Sequence, residues 1–212
     1  MPQRVKQPLT IPTASNQVWS IDFMSDSLTD GRRFRLLNIL DDYNRESLAI
    51  EVDTSLPSLR VIRVVERLIK ERGKPANIRC DNGPEFISHK LEDWCSHESR
   101  RISLQFIQPG RPMQNAYIER KNGSIRRELL NAYLFNSLAE VRALSEEWRI
   151  DYNTERPHKS LGYLSPLTYD AQLRKSKAAL STPASETLDH IEAQPVVDKA
   201  VESMNTIFEN SN

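Results

Sequence analysis

Arg79-Cys80-Asp81-Asn82-Gly83-Pro84-Glu85-Phe86 is the stretch on which the reading of this chain turns. Just upstream, residues 76–80 read as a short strand that follows a helix. A carboxylate comes next, then Asn-Gly, a turn-forming pair. From Phe86 onward the pattern is helical. Asp81 thus stands at the carboxyl end of a strand, where open α/β sheets place their chemistry. An Asx turn that caps a loop accounts for the octapeptide equally well.

Two other stretches shift that balance. Val18-Trp19-Ser20-Ile21-Asp22-Phe23 is an apolar strand pattern with one carboxylate inside it. Trp19, Ile21 and Phe23 share a face by alternation, which sends Asp22 to the other. A charge on a central strand needs a partner, a metal or an open cleft; an edge-strand Asp facing solvent is the plainer alternative. Downstream, Pro109-Gly110-Arg111-Pro112 breaks the chain, and the helix that follows carries Glu119. Two Asp and one Glu from separate elements are the oxygen donors that hard divalent cations prefer.

With these stretches in place, the chain resembles the catalytic core of OrfB-type insertion-sequence transposases, relatives of retroviral integrases with a DDE triad. The resemblance rests on Val18 to Phe23, on Asp81 to Phe86, on Asn115-Ala116-Tyr117-Ile118-Glu119-Arg120-Lys121-Asn122-Gly123, and on Tyr152-Asn153-Thr154-Glu155-Arg156-Pro157-His158-Lys159-Ser160-Leu161-Gly162-Tyr163. It runs in order over roughly residues 17–170. It implies an α/β chain of the ribonuclease-H-like fold, a mixed five-stranded sheet flanked by helices. It also implies a DNA transposase that nicks element ends and transfers strands, with Asp22, Asp81 and Glu119 as catalytic residues and ligands of two Mg²⁺ or Mn²⁺ ions. In that scheme Asp22 bridges the ions, Asp81 holds one and Glu119 the other.

One spacing departs from the family pattern. The family places 35 residues between the second Asp and the Glu, and here there are 37. We assign the extra pair to the loop Ser96 to Arg101, since loop insertions cost little. Glu85 and Glu128 are the nearest rivals to Glu119, and Glu85 follows Asp81 too closely to come from a separate element.

Composition sets outer bounds. The 212 residues fit one domain with extensions or two small ones. Cys80 and Cys95 form neither a disulfide framework nor a zinc spacing. No apolar run is long enough to span a membrane, and the N-terminus lacks the apolar core of a signal peptide, so a cytoplasmic location is the expectation. Formal net charge is zero, but it is unevenly placed: 26 basic against 23 acidic residues up to position 174, then three Lys against six acidic. That permits nucleic-acid binding and does not demonstrate it.

In chain order, residues 1–16 read as an extended linker, 17–172 as the core and 173–212 as a polar, flexible tail. Strands are expected at 18–25, 33–40 and 47–52, joined by turns at Asp30-Gly31 and Asp41-Asp42-Tyr43-Asn44. Leu59, Ile62, Val65, Leu68 and Ile69 recur at helical spacing between Pro57-Ser58 and Gly73-Lys74-Pro75. A fourth strand at 77–80 follows, then a helix with Phe86, Leu91, Trp94 and Cys95 inward, then a fifth strand through Ile102, Leu104 and Phe106. The helix from about Met113 to Leu130 packs Ile118, Ile125 and Leu129 and presents Asn115, Glu119, Asn122 and Arg126 to a cleft. Gly123 within it suits either a close approach or a kink. A last core helix, Leu138 to Tyr152, packs Val141, Leu144 and Trp148.

Candidate DNA contacts are Asn115, Arg120, Lys121, Arg126, Arg127 and His158. For Arg126 the resemblance implies a DNA-touching base, and a solvated surface Arg is the alternative. For His158 a loop-capping role competes. The expected partners are the element ends, target DNA and further copies of the chain, with no membrane. A catalytically incomplete DNA-binding or regulatory fragment is the second reading, because residues 1–16 hold no helix-turn-helix pattern. A repair nuclease of the same fold is the third.

Overall fold

The computed structural model describes residues 10–81, 83, 89–108 and 112–181. The expected Phe86 packing, the Pro109–Arg111 break, the rival Glu85 and most of the 1–16 linker lie outside them. The chain divides into two units, Met1–Arg174 and Lys175–Asn212.

The first unit is built on five strands. β1 (Val18–Ser27), β2 (Arg33–Asp41) and β3 (Ser47–Asp53) form an antiparallel meander. Gly31, at φ +85°, makes the first turn in a region that favours glycine. α1 (Ser58–Arg72) then crosses over to β4 (Asn77–Cys80), which lies parallel to β1 on its free side. α2 (His89–Ser96) leads to β5 (Ser103–Phe106), parallel to β4. The sheet order is β3-β2-β1-β4-β5, so β1 is central. This is the mixed five-stranded sheet that the sequence predicts, with β1 running two residues further.

Alternation along β1 and β2 divides the core into two layers. Trp19, Ile21, Leu37 and Ile39 pack with Val61, Val65 and Leu68 of α1 and with Leu91 and Cys95 of α2. Phe34, Leu36, Leu40 and Val52 pack on the opposite face against α3 (Ala116–Ile125) and α4 (Leu138–Thr154). Leu59 corrects one expectation: it is 51% exposed, and α1 buries Val61 and Val64 instead. At about 100° per residue Leu59 falls on the side of α1 away from the Val61, Val65 and Leu68 stripe that meets the sheet.

The helix carrying Glu119 has three parts. A 3₁₀ turn, Pro112–Asn115, enters α3, and a π-helical turn, Arg126–Leu130, ends it. Single π turns inside helices recur at functional sites. Ile118, Ile125 and Leu129 are buried as expected. A Cβ on Gly123 would meet only the end of the Arg127 side chain, at 3.4 Å, so no packed element requires the glycine. Gly123→Ala should therefore raise stability by about 0.5–1 kcal/mol in thermal melts. A fall in melting temperature would show that the helix backbone needs the glycine after all.

The second core helix, α4, begins at a Ser137 cap that accepts from the Glu140 N–H. α5 (Pro166–Ser181) runs across position 173, where the polar tail was expected to start. The remaining tail lies outside the described residues.

Candidate active site

The hydrogen-bonded register places the first two carboxylates side by side. Val18 pairs with Asn77 and Ser20 with Arg79 across the parallel β1–β4 ladder. Carried on past the end of that ladder, the same offset brings Asp22, midway along β1, level with Asp81, the residue that follows β4. Asp81 is half-buried, and its Oδ1 accepts from the Gly83 N–H at 2.9 Å, an Asx-type turn that closes the loop entry. The turn and the site readings of Asp81 therefore coexist.

Asp22 points to the α3 side of the sheet. One carboxylate oxygen accepts from the Phe23 N–H at 2.7 Å, the other from the Asn122 side chain at 2.7 Å. Asn122 in turn accepts from Asn38 at 2.9 Å, and Asn38 sits directly across from Asp22 on β2. A chain of amides thus ties the central strand to α3. Asn38 was not among the candidates; its one signal in the sequence is a polar residue inside an otherwise apolar strand.

Glu119 lies near enough to act on Asp22 through its charge. Desolvation pushes the Asp22 carboxyl up to about 6, and the negative charges of Asp81 and Glu119 push in the same direction. The two hydrogen bonds oppose this without cancelling it. Two like charges, one just past β4 and one on α3, therefore act on the carboxylate of β1. Glu119 is exposed on α3. The rival Glu128 is engaged elsewhere: it accepts from Trp148 Nε1 at 2.8 Å and from Arg156, whose guanidinium holds its carboxyl below the usual range.

The site therefore costs stability. A raised folded-state pKa means that the folded form binds a proton more tightly than the unfolded chain. Stability contributed by that proton is lost as pH rises from about 4 to about 6. Asp22→Asn keeps acceptor geometry for Phe23 and removes the charge. It should stabilise the fold by about 2 kcal/mol at pH 7, after allowing for solvent screening at a half-open site. The gain should fade towards pH 4. Equal melting temperatures of the two proteins at pH 7 would contradict this.

The other candidates separate by helix flank. Arg126 is tied to β1, donating to Asp26 at 2.5 Å and to the Ser25 carbonyl at 2.8 Å. Arg120 and Arg127 are exposed. Asn115 is buried. Lys121 is 1% exposed beneath the helix, its amine 3.5 Å from the Ile39 carbonyl, and burial drives its pKa well below the lysine range. His158 packs edge-on against Tyr152, and its backbone closes the Arg156–Leu164 loop by pairing with Leu164.

The donor set suits a divalent cation. All three carboxylates are hard oxygen ligands, and the Asp22 carboxylate is one that a nearby positive charge would relieve. As the side chains stand, no three His, Cys, Asp or Glu among the described residues are close enough to hold an ion together.

Comparison with known proteins agrees with this architecture. The Integrase core domain family matches residues 12–112 and, through a second description of the same domain, residues 100–166. The uncharacterized 31.7 kDa protein of insertion element IS407 from Burkholderia multivorans is 43% identical over 180 residues, covering 85% of this chain and 63% of that protein. The 39.2 kDa protein of IS476 from Xanthomonas euvesicatoria is 39% identical over 178 residues, covering 84% and 51%. The chain thus spans about half to three-fifths of these relatives' length. The HTLV-2 integrase catalytic core solved in complex with magnesium superposes with a TM-score of 0.59 at 20% identity, covering 74% of this chain and 98% of that one. A chain of the simian T-cell lymphotropic virus intasome gives 0.64 at 18%, covering 92% and 64%. These likenesses show the fold, which is that of integrase catalytic cores and hence ribonuclease-H-like. Among the described residues no helix is long and apolar enough to cross a membrane. The two family matches together run from residue 12 to residue 166, and the chain belongs to the integrase core domain family.

Proposed function

We propose that this chain is the DDE-type catalytic core of a DNA transposase, cutting element ends and joining the freed 3′-hydroxyl to a new phosphodiester. The observation that best supports this reading is the Asp22 carboxyl, raised by burial and by the nearby negative charges of Asp81 and Glu119. Asp22, Asp81 and Glu119 would hold two Mg²⁺ or Mn²⁺ ions. Such ions activate the attacking hydroxyl and stabilise the leaving oxygen.

The chain's own residues do the positioning. Asn122, braced by Asn38, fixes one oxygen of Asp22. Exposed Glu119 has the freedom to swing towards the pair. Arg120, Arg127 and His158 offer donors to the phosphates of a bound duplex, and phosphate contacts set register without reading sequence. Arg126 serves first to anchor α3 to β1. Lys121 faces inward and makes no such contact in this arrangement.

Two ends must be held together in transposition, so the active form is an oligomer of this chain on DNA. Solved integrase relatives include dimeric and trimeric cores and an intasome. The test is Mg²⁺- or Mn²⁺-dependent nicking of labelled duplex carrying the element's ends, alongside calorimetric titration of each ion without DNA. Ion binding with nicking is the expected result. Protection of the DNA without cleavage in either metal would instead favour a DNA-binding or regulatory role.

A further inference from the structure

On the flank of α3 opposite Glu119 lies a recess of about 220 Å³, between the helix and the Arg156–Leu164 loop. Arg45, Tyr117, Arg120, Arg156, His158 and Lys159 line it. Four of these six carry a fixed positive charge. Of the neighbouring acids, Glu128 answers only Arg156. Asp42 lies within reach of the Arg45 charge but is bonded to Arg79, so the recess keeps an excess of positive charge.

Its donors are held ready. The Arg45 guanidinium lies over the Tyr117 ring at 3.3 Å, and that of Arg156 over Trp148 at 5.2 Å. Arg45 is at φ +62°, a left-handed conformation that costs a non-glycine residue energy and that persists where the surroundings enforce it. Arg45 Nε and His158 Nε2 are buried and have no hydrogen-bond partner among the described residues. Leaving a buried polar nitrogen unpaired is costly, and Arg45 Nε is a donor in any state. Burial, and then the charges of Arg156, Arg45 and Arg120, hold the His158 imidazole below its usual pKa, which again describes a place short of negative charge.

We infer that this recess is a socket for one backbone phosphodiester of bound DNA. The inference rests on the proposed transposase reading. Glu119 and the recess occupy opposite flanks of a helix about 10 Å across. Exposed Arg120 and Arg127 and the side-chain-free Gly123 lie on the ridge between them. A strand leaving the carboxylates over that ridge delivers a phosphate, a few nucleotides from the reacting one, to Arg45, His158 and Lys159. A free phosphate or pyrophosphate shares the chemistry and is the competing source.

The test compares the wild type with Arg45→Met, which keeps a chain over Tyr117 and removes the charge, and with Lys159→Met at an exposed position. Duplex affinity is measured against salt concentration without divalent metal. Each variant should weaken binding severalfold or more and lower the slope of log K against log[salt] by about one. Lys159→Met carries the test should Arg45→Met fail to fold. An unchanged slope in a folded variant, with wild-type DNA binding intact, overturns the socket. Broadening of the ³¹P line of inorganic phosphate by the wild type and not by Lys159→Met, with an unchanged DNA slope, assigns the recess to a free anion and overturns the DNA source. Failure of the wild type to bind DNA overturns it too. Metal-dependent nicking is read separately: a lowered slope with no nicking by the wild type sinks the transposase reading alone, and nicking with an unchanged slope sinks the socket alone.

Discussion

Asp81→Asn is expected to reduce metal-dependent strand cleavage and joining by about 10³-fold or more. The loss of one anionic ligand removes several kcal/mol of charge stabilisation at the reacting phosphate, and each 1.36 kcal/mol is a factor of ten in rate. Asn is isosteric and keeps an oxygen that can accept from the Gly83 N–H, so the loop entry should be retained. Far-UV circular dichroism and thermal melting should match the wild type within about 0.5 kcal/mol. DNA affinity without metal should be unchanged, because Asp81 is not a phosphate donor. Glu119→Gln should behave alike, and Asp22→Asn should be inactive while melting higher. Full activity in any folded member of this set would falsify the triad assignment.

The second large effect concerns stability. Arg79 on β4 donates to Asp42 at 2.7 Å, and both side chains are almost wholly buried. Arg79 also reaches the Thr10 carbonyl, while the Ser20 hydroxyl bonds the other Asp42 oxygen. Burial still outweighs these partners, and the Asp42 carboxyl sits above its usual value. Removing one member of a buried pair strands the other, at about 3–5 kcal/mol. Arg79→Met should therefore lower the melting temperature by roughly 10 °C in a domain of this size.

The pH dependence of that deficit is diagnostic. Without Arg79 the stranded carboxylate folds only by taking a proton, so the deficit should shrink from pH 7 towards pH 4.5. Arg79→Met combined with Asp42→Leu should recover a large part of the loss, since no unpaired charge is left. A double variant no better than the single would mean that the pair contributes through shape and not through charge.

The strands were legible because each is short, alternating and bounded by a turn. Trp19, Ile21 and Phe23 marked one face of β1, and the structure puts Asp22 on the other face. Asn77–Cys80 and the strand before Ile107 needed no more than this. The neighbourhood of the buried ion pair was not legible. Asp41-Asp42-Tyr43-Asn44 reads locally as a solvated turn, yet Asp42 is 1% exposed, because its partner comes from a strand 37 positions away. No local pattern encodes that distance.

The basic residues around Glu119 show the same limit. Arg120, Lys121, Arg126 and Arg127 look equivalent in the sequence. On the helix they point in different directions: one pair to solvent, Arg126 to Asp26, and Lys121 into the interior. The helix period predicts that they diverge; what each one meets depends on the sheet beneath. Lys121 in particular required a layer of β2 under α3 that only the assembled fold supplies.

The ladder between β1 and β4 has a consequence for how the chain can change. The segments that lead into Asp22 and Asp81 are aligned by backbone pairing and not by the length of what joins them. The connection through α1 can gain or lose residues in the loops on either side, at positions 54–57 and 73–76, while the two carboxylates stay abreast. A slip of a single residue within either strand would turn one of them to the far side of the sheet. Tolerance and intolerance to insertion therefore alternate along the same short segment of chain, and a library of single-codon insertions across residues 16–82 should display the two catalytic strands as gaps.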